Sequence, residues 1–282
     1  MQILQDPIEL KESIRKVKLS GSKIVYVPTM GFLHQGHLSL MEEAKKYGDI
    51  LVVSIFVNPA QFNDPEDLKK YPIDRDGDLE KCRGMGVDIV FFPETKDIYP
   101  EGIPKLSIRI PHLMDVLCGA SRPGHFEGIL LVLSRLFHFV DPDVAIFGLK
   151  DYQQFTIVSE FVKDLAFPIE IIGMDTIREK DGLAMSSRNS RLSEKEREAA
   201  NLIPRALRLG EKLIQEGERN VPYIREVLLD VLASSSMLKL DYLEFVNPKS
   251  LESVLEINKS VLIVTAVFAG NIRLIDNLLV EF

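Results

Sequence analysis

The chain has 282 residues, 46% of them hydrophobic, enough to bury a large core in one large domain or two. Its formal charge of −8 argues against a broad basic face for nucleic acid, though a local basic pocket for a small phosphate ligand remains compatible. Cys82 and Cys118 are too few for a disulfide framework, and neither a signal-peptide pattern nor a bilayer-length apolar run is present, so a cytoplasmic protein without a membrane partner is expected.

In chain order, Met1 to Leu19 mix charged and apolar positions and predict a surface helix. Lys23 to Val27 form a short apolar, β-branched run, Pro28 and Gly31 break it, and Leu38 to Ala44 have helical spacing. The stretch therefore reads as strand, tight turn, helix. His34 and His37 stand three residues apart at the helix start, on one face and beside the free N–H groups of a first turn. A phosphate suits that place, because neutral imidazole donates to its oxygens and protonated imidazole adds a full positive charge. Gly31 and Gly36 lack a Cβ and let a ligand lie against the backbone. Two plainer readings compete: a helix start with incidental histidines, and a zinc site, for which only His112, His125 and His138 remain.

Ile50 to Val57 is a nearly unbroken apolar run, as expected of a parallel strand buried on both faces. Asn58-Pro59-Ala60-Gln61 follows at its carboxyl end, where open α/β sheets hold ligands, so Asn58 and Gln61 are site candidates beside the reading of a plain Asn-Pro turn. Asp74 to Met85 predict a polar helix, Val87 to Phe92 a strand, Glu94 to Pro104 a surface loop, Lys105 to Ile110 a short extra strand, and Pro111 to Leu117 a short helix. Gly119 to Gly128 is loop-like and carries Arg122 and His125, cationic groups that suit carboxylate or phosphate. An apolar helix follows from Ile129 to Val140.

Asp143 to Gly148 repeats the opening design: a strand, a glycine, then Leu149-Lys150-Asp151-Tyr152-Gln153-Gln154 at the start of a helix to about Leu165. Lys150 is a point charge for phosphate, Asp151 can hold a ribose hydroxyl or orient Lys150, and only one of Gln153 and Gln154 can face a pocket. After a strand from Ile169 to Gly173, Met185-Ser186-Ser187-Arg188 offers two hydroxyls and a guanidinium to a triphosphate. From Ser193 the texture changes. Ser193 and Glu196 form a capping box before a long helix towards Glu216, with a kink at Pro204. A helix from Val221 to Ser234 and strands at Leu238–Val246, Val261–Phe268 and Ile272–Val280 complete the chain, the last two joined at Gly270-Asn271. These elements predict an α/β fold: a Rossmann-like, parallel-sheet N-terminal domain over 1–176 and a smaller α+β domain over 177–282.

Taken together, Val27-Pro28-Thr29-Met30-Gly31 with His34-Gln35-Gly36-His37, Phe56 to Phe62, Arg122 to Gly128, Lys150 to Gln154, and Asp181 to Asn189 resemble the pantoate-β-alanine ligase (pantothenate synthetase) family of His-x-Gly-His nucleotidyltransferases. The resemblance spans almost the whole chain. It implies ligation of pantoate to β-alanine through a pantoyl adenylate, with ATP as co-substrate, Mg2+ accompanying it, and a homodimer. By the resemblance, ATP is bound by Met30, Gly31, Phe32, Leu33, His34, Gln35, Gly36, His37, Gly148, Leu149, Lys150, Asp151, Ile177, Met185, Ser186, Ser187 and Arg188. Gln61, Gln154 and Asn58 are expected at pantoate, and Gln61, Arg122 and His125 at β-alanine. His37, His34, Lys150 and Arg188 are the expected catalytic groups, and no metal ligand is assigned. Leu149 and Ile73 depart from the family pattern, which usually has an acidic or amide residue and an arginine there. Two alternatives stand beside this: a nucleotidyltransferase for a phosphorylated acceptor, and a nucleotide sensor without catalysis.

Overall fold

The structure is a computed structural model that describes residues 1–281. In chain order its elements are β1 (Gln2–Leu4), α1 (Pro7–Leu19), β2 (Ile24–Thr29), α2 (Gln35–Ala44), β3 (Ile50–Ile55), α3 (Pro65–Lys69), α4 (Arg75–Gly84), β4 (Ile89–Phe91), α5 (Thr95–Ile98), α6 (Pro111–Met114), α7 (Cys118–Ser121), α8 (His125–Val140), β5 (Val144–Gly148), α9 (Tyr152–Asp164) and β6 (Glu170–Met174). After these come α10 (Glu194–Ala200), α11 (Leu202–Gln215), α12 (Val221–Ala233), β7 (Leu238–Val246), β8 (Val261–Ala269) and β9 (Ile272–Val280).

Six strands form one parallel sheet in the order β1-β4-β3-β2-β5-β6. Strand alternation sends Ile24 and Tyr26 of β2 into the core shared with α1, α8 and α9, and Val25 and Val27 into the core under α2 and α4. All four are fully buried, which is why β2 reads as a continuous apolar run rather than an alternating one. The chain leaves β2 for β3 on one side, while β5 flanks β2 on the other, so the strand order reverses between β2 and β5. Ligands of such sheets lie at that point, beyond the carboxyl ends of the strands. Here β2 and β5 pair only at Val25–Val144 and Tyr26–Ala145 and then part, opening a crevice between Pro28 and Ile146.

The antiparallel sheet β7-β8-β9 packs one face on α11 and α12, through Ile263, Val267 and Phe245, and sends Val246, Leu262 and Val264 of the other into the core of the first sheet. The β8–β9 hairpin turns at Gly270-Asn271 with Gly270 at φ +56°, the conformation glycine allows most readily.

Several expected elements differ. A three-residue strand, β1, precedes the first helix, which starts at Pro7 under an Asp6 cap; three residues are too few to show a period. Residues 105–110 are not a strand: Ile108 and Ile110 pack on the core, but no strand lies alongside, the sheet edges being β1 and β6. The 94–104 loop contains α5, begun by reciprocal Glu94–Asp97 capping, and buries Ile98 and Tyr99. The long helix after Ser193 breaks at Asn201 into α10 and α11, so Pro204 falls in the first turn of α11, where its missing N–H costs nothing and no kink follows. The segment around Arg122 is not a free loop: α7 precedes it and α8 begins at His125, four residues earlier than its apolar run suggests.

Candidate active site

The loop from β2 to α2 carries Gly31 and Phe32 with positive φ, +81° and +50°. Buried Asp78 of α4 fixes this turn, accepting from the backbone N–H of Phe32 at 2.8 Å and of Leu33 at 2.7 Å. The turn ends in a capping box: His34 Nδ1 accepts from Gly36 N–H at 3.2 Å, and His37 Nδ1 accepts from His34 N–H at 3.3 Å. Because both Nδ1 atoms accept, both neutral rings carry their proton on Nε2. The rings lie 4.1 Å apart between centroids. A Cβ on Gly36 would stand 2.9 Å from His34 Cε1, so any larger residue here would push that imidazole aside.

Burial, and then the positive charge of Lys150, lower the His34 pKa to about 4; burial, then His34 and Lys150, lower that of His37 to about 3. Both rings are thus neutral at pH 7 in the free protein, each with one N–H, on Nε2, available to donate. Burial and Lys150 disfavour a protonated imidazole here, whereas the negative charge of a triphosphate beside the rings would favour it.

Around the crevice, Met30, His34, Gly36, His37, Asn58, Gln61, Arg122, His125, Gly148, Lys150, Asp151, Gln154, Ile177, Met185, Ser186, Ser187 and Arg188 line one cavity. Five other expected ATP residues do not line it. Gly31 and Phe32 face a neighbouring hollow beside Asp78, Leu33 is buried in the core and Gln35 is exposed. Leu149 turns onto β6, where its side chain occupies the space a Cβ on Gly173 would need.

Asn58 is 1% exposed with its amide spent: Nδ2 donates to Gln61 Oε1 and Gly128 O, both at 3.0 Å, and Oδ1 accepts from Tyr99 OH at 2.9 Å. It therefore orients Gln61, whose Nε2 then reaches Met30 Sδ at 3.1 Å. His125 is likewise committed: Nδ1 donates to Gln61 O at 2.8 Å, and Nε2 accepts from Arg122 Nη1 at 2.8 Å. Burial, then Arg122, lower its pKa to about 3, so it holds Arg122 as a neutral ring and has no free nitrogen for a substrate. Arg122 itself is pulled down to about 10 by burial and by Arg188 nearby. Of the two neighbouring glutamines, Gln153 is buried and bonds Cys118 N and the carbonyls of Leu113 and Val116, leaving Gln154 to face the cavity.

Residues outside the motifs complete the frame. Asn277 of β9 donates from Nδ2 to the carbonyls of Leu149 and Lys150, both at 2.9 Å, and so fixes the 3-10 turn that presents Lys150. Arg178 grips Asp276 at 2.7 and 2.9 Å and the carbonyl of Gly182 at 3.0 Å, seating the segment that leads to Ser186. Arg188 donates from Nη2 to Asp67 Oδ2 at 2.8 Å. Asn277 and Arg178 had no local sequence signal, since each acts through a partner far along the chain, and the hold of Asp78 on Leu33, 45 residues away, was equally out of local reach.

The family model for pantoate-beta-alanine ligase matches residues 2–279. The pantothenate synthetase of Leptospira interrogans serovar copenhageni is 54% identical over 278 residues, covering 99% of this chain and 98% of its own. The crystal structure of pantothenate synthetase from Thermus thermophilus superposes with a TM-score of 0.93 at 38% identity, over 99% of both chains. That of the pantoate-beta-alanine ligase of Francisella tularensis, complexed with beta-gamma ATP and beta-alanine, gives 0.81 at 35% identity, over 99% of this chain and 97% of the other.

Proposed function

The chain belongs to the pantoate-β-alanine ligase family, and from that premise we propose how its residues join pantoate to β-alanine at the expense of ATP. A carboxylate resists attack by an amine because its charge is delocalised and oxide is a poor leaving group. Activation comes first: a pantoate carboxylate oxygen attacks the α-phosphorus, its bond to the pyrophosphate oxygen breaks, and pantoyl adenylate forms. The neutral amine of β-alanine then attacks the acyl carbon, the bond from that carbon to the AMP oxygen breaks, AMP departs, and the amine's proton passes to water.

Phosphoryl transfer of this kind asks the protein for alignment and charge neutralisation. The Nε2–H groups of His34 and His37 are donors for phosphate oxygens, and Lys150, Arg188 and the Ser186 and Ser187 hydroxyls receive the charge that collects on pyrophosphate. Gln61, oriented by Asn58, and Gln154 hold pantoate, and Arg122, steadied by His125, faces the β-alanine carboxylate. The observation that carries this reading is that two neutral Nε2–H imidazoles, Lys150 and Arg188 all line the cavity that Gln61 and Gln154 also line.

Mg2+ accompanies ATP in this reading. Asp78 is spent on the Phe32 and Leu33 backbone, and among the described residues no three ligating side chains cluster. Asp151 and Asp175 line the cavity and can each lend an oxygen to an ion held mainly by phosphate and water. Residues 1–176 are proposed as the nucleotide- and pantoate-binding part and 177–282 as the part that closes over ATP. A homodimer in the cytoplasm is proposed from the family likeness; no helix among the described residues is long and apolar enough to cross a membrane.

Pyrophosphate release from ATP tests the scheme. It should occur with pantoate alone, in a single turnover, and become continuous when β-alanine is added. Release that requires β-alanine from the first turnover would rule out the adenylate.

A further inference from the structure

We propose that Asp67 is a positioning residue for the ATP site, holding one edge of the Arg188 guanidinium so that its remaining donors face the phosphates. The inference rests on Arg188 being a phosphate-binding residue. Asp67 Oδ2 accepts from Arg188 Nη2 at 2.8 Å, and Asp67 Oδ1 lies 3.4 Å from Arg191 Nη1, so one carboxylate ties two arginines of the Ser187–Arg191 turn. Arg188 lines the cavity and Asp67 does not, so the carboxylate takes the guanidinium from outside and leaves Nε and Nη1 unspent by it. Both side chains are about one-quarter exposed, at 25% and 26%, which shields the pair from full solvent screening. Burial raises the Asp67 pKa, but Arg188 and Arg191 outweigh it and keep the carboxylate charged.

Asp67 sits on α3, none of whose five side chains is fully buried, and the bridge joins this short helix to a turn 121 residues away in sequence, alongside the hydrogen bond that Tyr71, just after α3, makes with Ser187. An arginine on a loop has many rotamers, and anchoring one nitrogen removes most of them before the phosphates arrive. The opposite possibility is a carboxylate that merely cancels cationic charge, in which case its loss would strengthen anion binding.

Pyrophosphate binding, measured by calorimetry, separates the two. Asp67→Ala should weaken it by on the order of tenfold and raise KM for ATP similarly, with KM for pantoate unchanged; Asp67→Asn, which keeps an acceptor oxygen, should recover most of the loss. In an Arg188→Ala background the Asp67→Ala change should have no further effect. Asp64→Ala, which removes the cap that Asp64 gives Glu66 N–H, loosens α3 and should leave pyrophosphate binding near the parent value. Tighter binding by Asp67→Ala, an equal loss in the Arg188→Ala background, or an equal loss in Asp64→Ala would each overturn the assignment. Undiminished binding by Arg188→Ala alone would instead remove the phosphate role of Arg188.

Discussion

At the scale of single residues, the two motif histidines matter through their tautomers. The capping box sets both Nε2–H protons, and burial keeps both rings neutral in the free protein, so in the proposed reaction what they offer a phosphate is directional donation. His37→Ala should slow adenylate formation by roughly 10²- to 10³-fold with the fold intact, and His37→Gln, which restores a neutral donor, should regain part of it. Single-turnover pyrophosphate release reads both. With pKa values of about 4 and 3, neither ring titrates between pH 6 and 7.5 in the free protein, so kcat/KM for ATP should show no loss near pH 6.5 that depends on His37. His125 carries a stability prediction. Its folded pKa, about 3, lies below its unfolded value of about 6.5, so the unfolded chain takes the proton first. The contribution is complete above pH 6.5 and drains away as pH falls towards 3. Thermal melts between pH 7 and 4 should fall less steeply for His125→Gln than for the parent. His-x-Gly-His was legible because glycine and imidazole at that spacing carry local meaning. The commitment of His125 was not, because the Gln61 carbonyl comes from the turn after β3, 64 residues away in sequence, and nothing local shows that Arg122, three residues away, takes the other ring nitrogen.

At the scale of elements, β2 and β5 were readable as apolar runs and their following glycines as ligand turns. The start of α8 was not, since His125 to Gly128 have no apolar period and are helical because they lie against the Pro59–Gln61 turn. Gly128 is where the two touch: a Cβ there would stand 2.2 Å from the Ala60 carbonyl oxygen. Gly128→Ala should therefore destabilise the protein by about 1–3 kcal/mol and displace Gln61, raising KM for pantoate more than for ATP. Denaturant melts and paired KM values check this; a neutral substitution would mean α8 shifts freely. Leu149 is legible only in hindsight, as the side chain that fills the hollow over Gly173.

At the scale of the whole molecule, the antiparallel sheet is bonded into the site it overhangs. Asn277→Ala removes both donors to the Leu149–Lys150 turn, and should cost about 1–2 kcal/mol of stability and lower kcat/KM for ATP although no ATP contact is deleted. Comparing kcat/KM for ATP with that of a surface variant on the same sheet, such as Lys239→Ala, tests the coupling. The change of texture after Ser193 suggested a separable unit, and periodicity cannot reveal what the strands of that unit face. In β8 they face both ways: Val261, Ile263 and Val267 look towards α11 and α12, while Leu262 and Val264 lie among side chains of the parallel sheet's helices. One strand is thus a party wall between the two cores, so removing either should undermine the other. Residues 1–176 produced alone would expose the apolar surface that Leu262 and Val264 cover and should precipitate, and the intact chain should melt in a single calorimetric transition.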